Sequence, residues 1–181
     1  PPVEAPKCTL MAAVALTKAF HKMGLTDAGI KWPNDILVNG RKLVGILTEM
    51  SGSMEEISHI VMGIGVNVKT KQEELPEELK LIATSLAMED IDIERTEAFR
   101  LILEELEHQY YEVLDSGFDE TLNEWRQLSV TLGEEIEVRA PGNIYEGAAT
   151  DIDEDGNLLV RIPDGTIKRI VAGDVSIRPR K

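Results

Sequence analysis

Cysteine is almost missing from this chain. The single residue, Cys8, excludes any disulfide within the chain and fits a reducing compartment. It lies beside an apolar helical pattern, which suits a small buried hydrophobe better than a nucleophile. Basic residues are outnumbered: 19 Lys and Arg stand against 33 Asp and Glu, a net charge of −14. Such a surface disfavours non-specific binding to DNA or to an anionic membrane, while leaving room for a local basic site. No apolar run reaches the length of a membrane span and no signal-peptide pattern is present, so the expectation is a cytoplasmic protein. The histidines, His21, His59 and His108, have no Cys or acidic partners at zinc-ligand spacing. No metal site built from protein groups alone is therefore expected. There is no Walker A sequence and no nucleophile elbow. The two glycines of "MGIGVN" are not a dinucleotide fingerprint, because no third glycine opens a helix.

What is present suits a folded chain with a substantial core. The length of 181 residues matches one medium domain, or a domain with a small appendage, and 43% of the residues are hydrophobic. Helical spacing runs from Thr9 to Met23, with Gly24 as its stop. "GIKWPNDILVNGRKLVGILTEM" is expected to form two strands joined at Asn39-Gly40, with Pro33 at an edge or breaking the ladder. "SGSMEE" is a polar turn. "HIVMGIGVNV" is apolar enough to predict a central strand covered on both faces. "KTKQEELPEELK" is expected as a solvated loop and "ATSLAMED" as a short helix. From Thr96 to Leu114 the residues Phe99, Ile102, Leu103, Leu106, Tyr110, Val113 and Leu114 predict one inward-facing stripe, ended by Gly117, with Glu104, Glu105 and Glu107 on a solvated face. A shorter helix follows, with Leu122, Trp125 and Leu128 inward. After Ser129 the pattern changes to short alternating strands separated by "PGN", "DEDGN" and "PDG", which predicts a small closed barrel and places a domain boundary between residues 128 and 129.

Three groups of residues invite chemistry, and each has a plain structural reading beside it. Lys31, Asn34 and Asp35 surround a Trp-Pro corner. Asp35 suits a hydroxyl, a cation or a lysine partner, and the three equally suit a turn with an Asx cap. Lys42 opens the return strand of the hairpin. It either snorkels to solvent or holds an anion at a partly buried site, with Gly45 letting a ligand approach the backbone. Gly63 and Gly65 open the same face of one strand, to a ligand or to a closely packed helix, and Asn67 at the strand end is within reach of a phosphate, a ribose or a metal-bound water.

In order, "KWPNDILVNGRKLVGIL", "MGIGVNV", "ATSL" and the terminal "GDVSIRPR" resemble biotin protein ligases over essentially the whole chain. The resemblance implies an α+β fold: a mixed sheet with helices related to class II aminoacyl-tRNA synthetases in residues 1–128, and an SH3-like barrel in residues 129–181. It implies two reactions. Biotin and MgATP give biotinoyl-5′-AMP and pyrophosphate, and biotin then passes to a lysine of the biotin carboxyl carrier protein of acetyl-CoA carboxylase. It implies that Lys42 contacts biotin and the reacting carboxylate or acyl-phosphate. Gly45, Gly63 and Gly65 line that channel, Lys31, Asn34 and Asp35 lie beside the adenylate, and Asn67 and Arg178 lie near ATP and Mg2+. The family often forms homodimers through sheet edges, and some members carry an upstream winged helix that binds DNA. The family's "GRGRxGR" loop, and the Ser-Thr pair and Gln that hold the ureido ring, do not occur in this sequence. The expectation is that they belong to a segment before Pro1, and that this chain alone does not form the adenylate at a useful rate. A lipoate ligase shares the fold and is the alternative.

Overall fold

A computed structural model describes residues 4–52 and 57–178; most of the polar turn expected at residues 51–56 lies outside them. Helix α1 spans Ala5–Lys22. It begins a turn earlier than its apolar spacing indicates, because Pro6 sits in its first turn, where a missing N–H costs nothing. Ala12, Ala13, Val14, Ala15, Leu16, Ala19 and Phe20 are completely buried. The helix is apolar on nearly every side because it is covered on nearly every side. The first sheet packs on one flank, and α2 (Arg95–Ser116) and α3 (Asp119–Leu128) pack on the other.

The first sheet is antiparallel, in the order β1 (Ala28–Lys31), β2 (Asp35–Val38), β3 (Arg41–Gly52), β4 (Ile57–Val66). The segment expected as two strands is thus three. Pro33 has no N–H to give to a ladder, so the chain turns at Trp32–Asn34 and β1 folds back on β2 with Lys31 opposite Asp35. Asn34 locks the corner: its Nδ2 donates to the Ile46 carbonyl at 2.7 Å, and the Asn34 carbonyl accepts from the Ile46 N–H at 2.9 Å. The Asn39-Gly40 turn forms as expected, both residues having positive φ (50° and 77°).

Two expectations are corrected here. Strand β4 is not central: among the described residues it is the last strand of the sheet, and Val61 on it is 55% exposed, beside Leu47 at 63% on β3. An apolar run records what a strand tolerates and not what covers it. Helix α2 is turned differently from its apolar stripe. It buries Ala98, Ile102, Glu105 and Gln109, while Phe99, Leu103, Tyr110 and Leu114 are exposed. The polar face goes inward because partners await it. Lys22 pairs with Glu105, and Gln109 donates to Glu112 and Glu124 while accepting from Thr121. Glu105 is therefore buried, not solvated. Leu122 and Trp125 of α3 are buried as expected, with Leu128 packed at the edge of the core.

Between β4 and α2 the chain makes only single 3-10 turns, at Gln72–Glu74, Glu77–Leu79 and Ala87–Glu89. The second sheet is antiparallel in the order β8 (Ile167–Ile170), β7 (Leu158–Arg161), β6 (Asn143–Ile152), β5 (Glu135–Ala140), β9 (Asp174–Ile177). It curls around Ile136, Val138, Ala149, Ile152, Leu158 and Val160 as an SH3-like barrel. The ladder ends at β8 and β9, so among the described residues strand pairing does not close it as the turn pattern predicts. The two sheets meet at the Trp32 corner, where the Trp32 N–H donates to Thr131 Oγ1 at 2.9 Å and the Val130 N–H donates to the Ile30 carbonyl at 2.9 Å. Cys8 on α1 is only half-buried, and burial, followed by the Glu4 charge, pushes its thiol pKa up. A thiol held protonated is a poor nucleophile. Among the described residues no helix is long and apolar enough to cross a membrane.

Candidate functional site

The register of β2 on β3 builds the site. Val38 faces Arg41 and Leu37 faces Lys42, but Ile36 then faces Val44 and Asp35 faces Gly45. Leu43 is left without a partner on β2, a one-residue bulge. Strict alternation sends residues three apart to opposite faces of a strand; the bulge cancels that, so Lys42 and Gly45 share a face. Asp35 is on that face because it lies opposite Gly45, and Lys31 because it lies opposite Asp35. On the next strand Gly65 lies opposite Gly45, and Gly63 opposite Leu47. The other face carries Ile30, Ile36, Val44 and Ile46 into the core under α1.

The charged groups lie close together. Lys42 Nζ is 2.6 Å from Asp35 Oδ1, and Lys31 Nζ donates to Asp35 Oδ2 at 3.4 Å. The Lys42–Asp35 pair is thus in close ionic contact, with Asp35 Oδ1 shielded from solvent. Gly45 gives the lysine room here, since a Cβ on it would lie 3.0 Å from both Cε and Nζ of Lys42. Above Gly63 and Gly65 a Cβ would meet nothing nearer than 3.7 Å, so these glycines form a bare floor and do not make room for a packed neighbour.

A cavity of about 350 Å3 opens over Gly45 and Gly65, which line it with Lys42 and Asn67, while Gly63 lies outside its lining. One part of its wall was not legible as part of a site: Leu79, Ile82 and Ala83 at the end of the charged loop. Their signal is faint, a run of apolar residues after Pro76 that stays exposed, Ile82 at 57% and Leu81 at 84%. Backbone bonds stitch this wall to the lysine. The Lys42 N–H donates to the Ile82 carbonyl at 2.8 Å, and the Thr84 N–H donates to the Lys42 carbonyl at 2.9 Å. Asn67 is fixed by its Nδ2 donating to the Thr84 carbonyl at 2.9 Å, which leaves Oδ1 without a protein partner among the described residues.

The remaining expected residues lie apart from this cavity. The Asn34 amide is used in the corner, and Asn34 lines a second cleft of about 260 Å3 with Trp32, Thr48 and Gly156. Lys31 reaches the site only through Asp35. Arg178 pairs with Glu146 and Glu137 on the barrel and does not line the Lys42 cavity. Chemically, the arrangement offers a fixed cation beside an uncluttered strand surface, with an apolar wall and an amide acceptor at one end. That suits a flat or elongated ligand carrying an anionic group.

Comparisons with known proteins place the chain in a family. Residues 5–67 match the model of the biotin/lipoate A/B protein ligase family, and residues 131–178 match the biotin protein ligase C terminal domain. The chain is 36% identical over 173 residues to the bifunctional ligase/repressor BirA of Bacillus spizizenii, covering 95% of this chain and 53% of that one. It is 33% identical over 168 residues to a biotin--[acetyl-CoA-carboxylase] ligase of Paracoccus denitrificans, covering 89% of this chain and 69% of that one. The biotin protein ligase of Aquifex aeolicus in complex with biotin and ATP superposes with a TM-score of 0.80 at 26% identity, over 97% of this chain and 72% of that one. The chain thus spans about half the length of the first of these relatives. From Lys42 and the glycine floor to the terminal barrel, it belongs to the biotin protein ligase family.

Proposed function

We propose that this chain is the part of an ATP-dependent biotin protein ligase that carries the Lys42 wall of the acyl-adenylate site. The observation that carries the reading is the Lys42 ammonium standing at the edge of the Gly45–Gly65 floor. In the first step an oxygen of the biotin carboxylate bonds to the α-phosphorus of ATP, and the bond to pyrophosphate breaks. Two anionic groups must meet, and a fixed cation in a partly enclosed site offsets their repulsion. In the second step an acceptor amine attacks the acyl carbon, an amide forms and AMP leaves. Lys42 meets the reacting carboxylate and phosphate, Gly45, Gly63 and Gly65 let biotin lie against the strands, and the free Oδ1 of Asn67 faces the nucleotide end. Mg2+ arrives on the phosphates of ATP. The acceptor is the biotin carboxyl carrier protein of acetyl-CoA carboxylase, and the reaction takes place in the cytoplasm.

The division of labour falls near Ser129, consistent with a C-terminal family match that begins at residue 131. The adenylate also needs the Gly/Arg-rich loop of this family, which the sequence does not contain. The 181-residue chain is thus expected to turn over slowly by itself. The exposed apolar residues of β3 and β4, and the edge of β4 that is unpaired among the described residues, favour self-association, which light scattering would register; a strict monomer at high concentration would refute this. DNA binding would need an upstream winged helix, as the name of the Bacillus relative invites.

The test is to incubate the full-length polypeptide that carries this chain with biotin, ATP and Mg2+. Pyrophosphate release and biotin incorporation into the carrier protein are then followed, with lipoate as competitor. Biotin-dependent release that lipoate does not replace supports the reading. Lipoate-dependent release favours a lipoate ligase, and the absence of either overturns it. Rapid turnover by the 181-residue chain alone would refute the need for the missing loop.

A further inference from the structure

We propose that Asp35 is a positioning residue, whose work is to seat the Lys42 ammonium over Gly45 and not to touch either substrate. The inference rests on the role assigned to Lys42 above. The Asp35 side chain is only 15% exposed, and its Oδ1, the atom facing Lys42, is shielded from solvent. A carboxylate so placed requires cations, and it has two: Lys31 on one oxygen and Lys42 on the other. Two ammonium groups around one carboxylate leave a single positive charge in excess. It emerges on the side of Lys42, whose side chain is 48% exposed and lines the cavity, whereas Lys31 does not.

Three further restraints act on the same side chain. The bulge at Leu43 sets its face. The Ile82 carbonyl and the Thr84 N–H clamp its backbone on both sides. Gly45 leaves empty the volume that Cε and Nζ occupy. A free lysine would give up much of its rotamer freedom on meeting an anion; one already seated gives up less, which is the benefit of preorganisation. An ammonium has three donors, so an arriving carboxylate or phosphate can accept from those not turned to Asp35 while Asp35 stays in place.

The test is a double-mutant cycle in the full-length polypeptide, read as single-turnover formation of the acyl-adenylate from biotin and ATP. Asp35→Asn is expected to slow this step about tenfold or more, with biotin affinity changed by less than about threefold. In the Lys42→Ala background the same change is expected to cost less than about twofold, since a positioning group has no effect once the side chain it positions is gone. Asp35→Glu is expected to restore part of the rate. A full Asp35→Asn effect in the Lys42→Ala background overturns the proposal, as does a loss confined to biotin transfer from preformed adenylate.

The second measurement does not depend on activity: competitive acylation of the lysines, read by mass spectrometry on the same polypeptide. Asp35→Asn is expected to raise the labelling of Lys42 about threefold or more relative to the exposed lysines, because an unpaired amine is more available. Unchanged labelling overturns the proposal. Should Asp35→Asn not fold, Gly45→Ala takes its place: its methyl pushes on the Lys42 tip and leaves the carboxylate alone, so the same rise is expected and its absence overturns the proposal. A Lys42→Ala variant that forms adenylate at the normal rate would instead refute the function assigned to Lys42, while the labelling result still decides the role of Asp35.

Discussion

The indole N–H of Trp32 donates to the carbonyl oxygen of Gly156 across 3.0 Å, tying the corner of the first sheet to a turn of the barrel. Both partners are tightly placed. Trp32 is 2% exposed, and Gly156 has φ of +81° with Leu10 directly above its Cα. The Trp-Pro corner is thus a joint between the two sheets.

Gly156→Ala is expected to be a costly single-methyl change in the junction. The new Cβ would lie 2.5 Å from Leu10 Cδ1, and Leu10 is itself only 3% exposed, so it has little room to give. Positive φ adds backbone strain, and together these should remove about 2–3 kcal/mol of stability in urea unfolding. Trp32→Phe, which removes only the donor, should cost about 1–2 kcal/mol. An unchanged urea midpoint for Gly156→Ala would mean that the junction does not form in solution.

Gly65→Ala should separate folding from binding. Its Cβ would meet only the Gly45 carbonyl oxygen, at an ordinary 3.8 Å, so stability should hold or rise by about 0.5 kcal/mol. The methyl would stand on the floor where the ligand lies, and calorimetry should show biotin affinity reduced about tenfold or more. Equal losses in folding and binding would argue that the glycine serves packing.

Lys42→Ala should leave the fold intact, since the side chain is half exposed, but slow adenylate formation about 10- to 100-fold, the worth of one or two charge-assisted contacts. Single-turnover kinetics would measure it, and an unchanged rate would remove Lys42 from the mechanism.

Asp153 gives the barrel a pH dependence. Burial by itself would raise its carboxyl pKa, but the backbone and side-chain donors of Asn157, the Arg169 guanidinium and the Asp155 N–H outweigh that and hold it below the ordinary value. A carboxylate depressed in the folded state contributes stability that is present above its unfolded pKa of about 3.9 and lost as pH falls through the folded value. Asp153→Asn should therefore be less stable by about 1 kcal/mol at neutral pH, with the gap closing as pH drops below about 4. Urea midpoints at neutral and acid pH would show this, and a gap of constant size would refute it.

How much of this was legible in the residues differs from element to element. The Asn39-Gly40 turn, the Gly117 stop and the five barrel strands follow from local chemistry: positive φ, missing N–H groups and alternation. The facing of α2 does not. Its apolar stripe pointed to one orientation, but Lys22 on α1 and Glu124 on α3 offer partners to Glu105 and Gln109 from across the core. No window along α2 contains those partners. Leu79 and Ile82 escaped notice for a similar reason, being drawn beside Lys42 by backbone bonds that join distant parts of the chain.

The sequence by itself determined which groups the site has: a lysine after a tight turn, glycines two apart in a strand, an Asn at its end. Whether they meet was decided by the tertiary structure. Counted along the strand, Lys42 and Gly45 are three apart and belong to opposite faces. The unpaired Leu43 reverses that parity, because its completely buried side chain takes a place in the core that strict pairing would deny it. A bulge is a property of two strands read against each other, so it appears only when the second strand is in place.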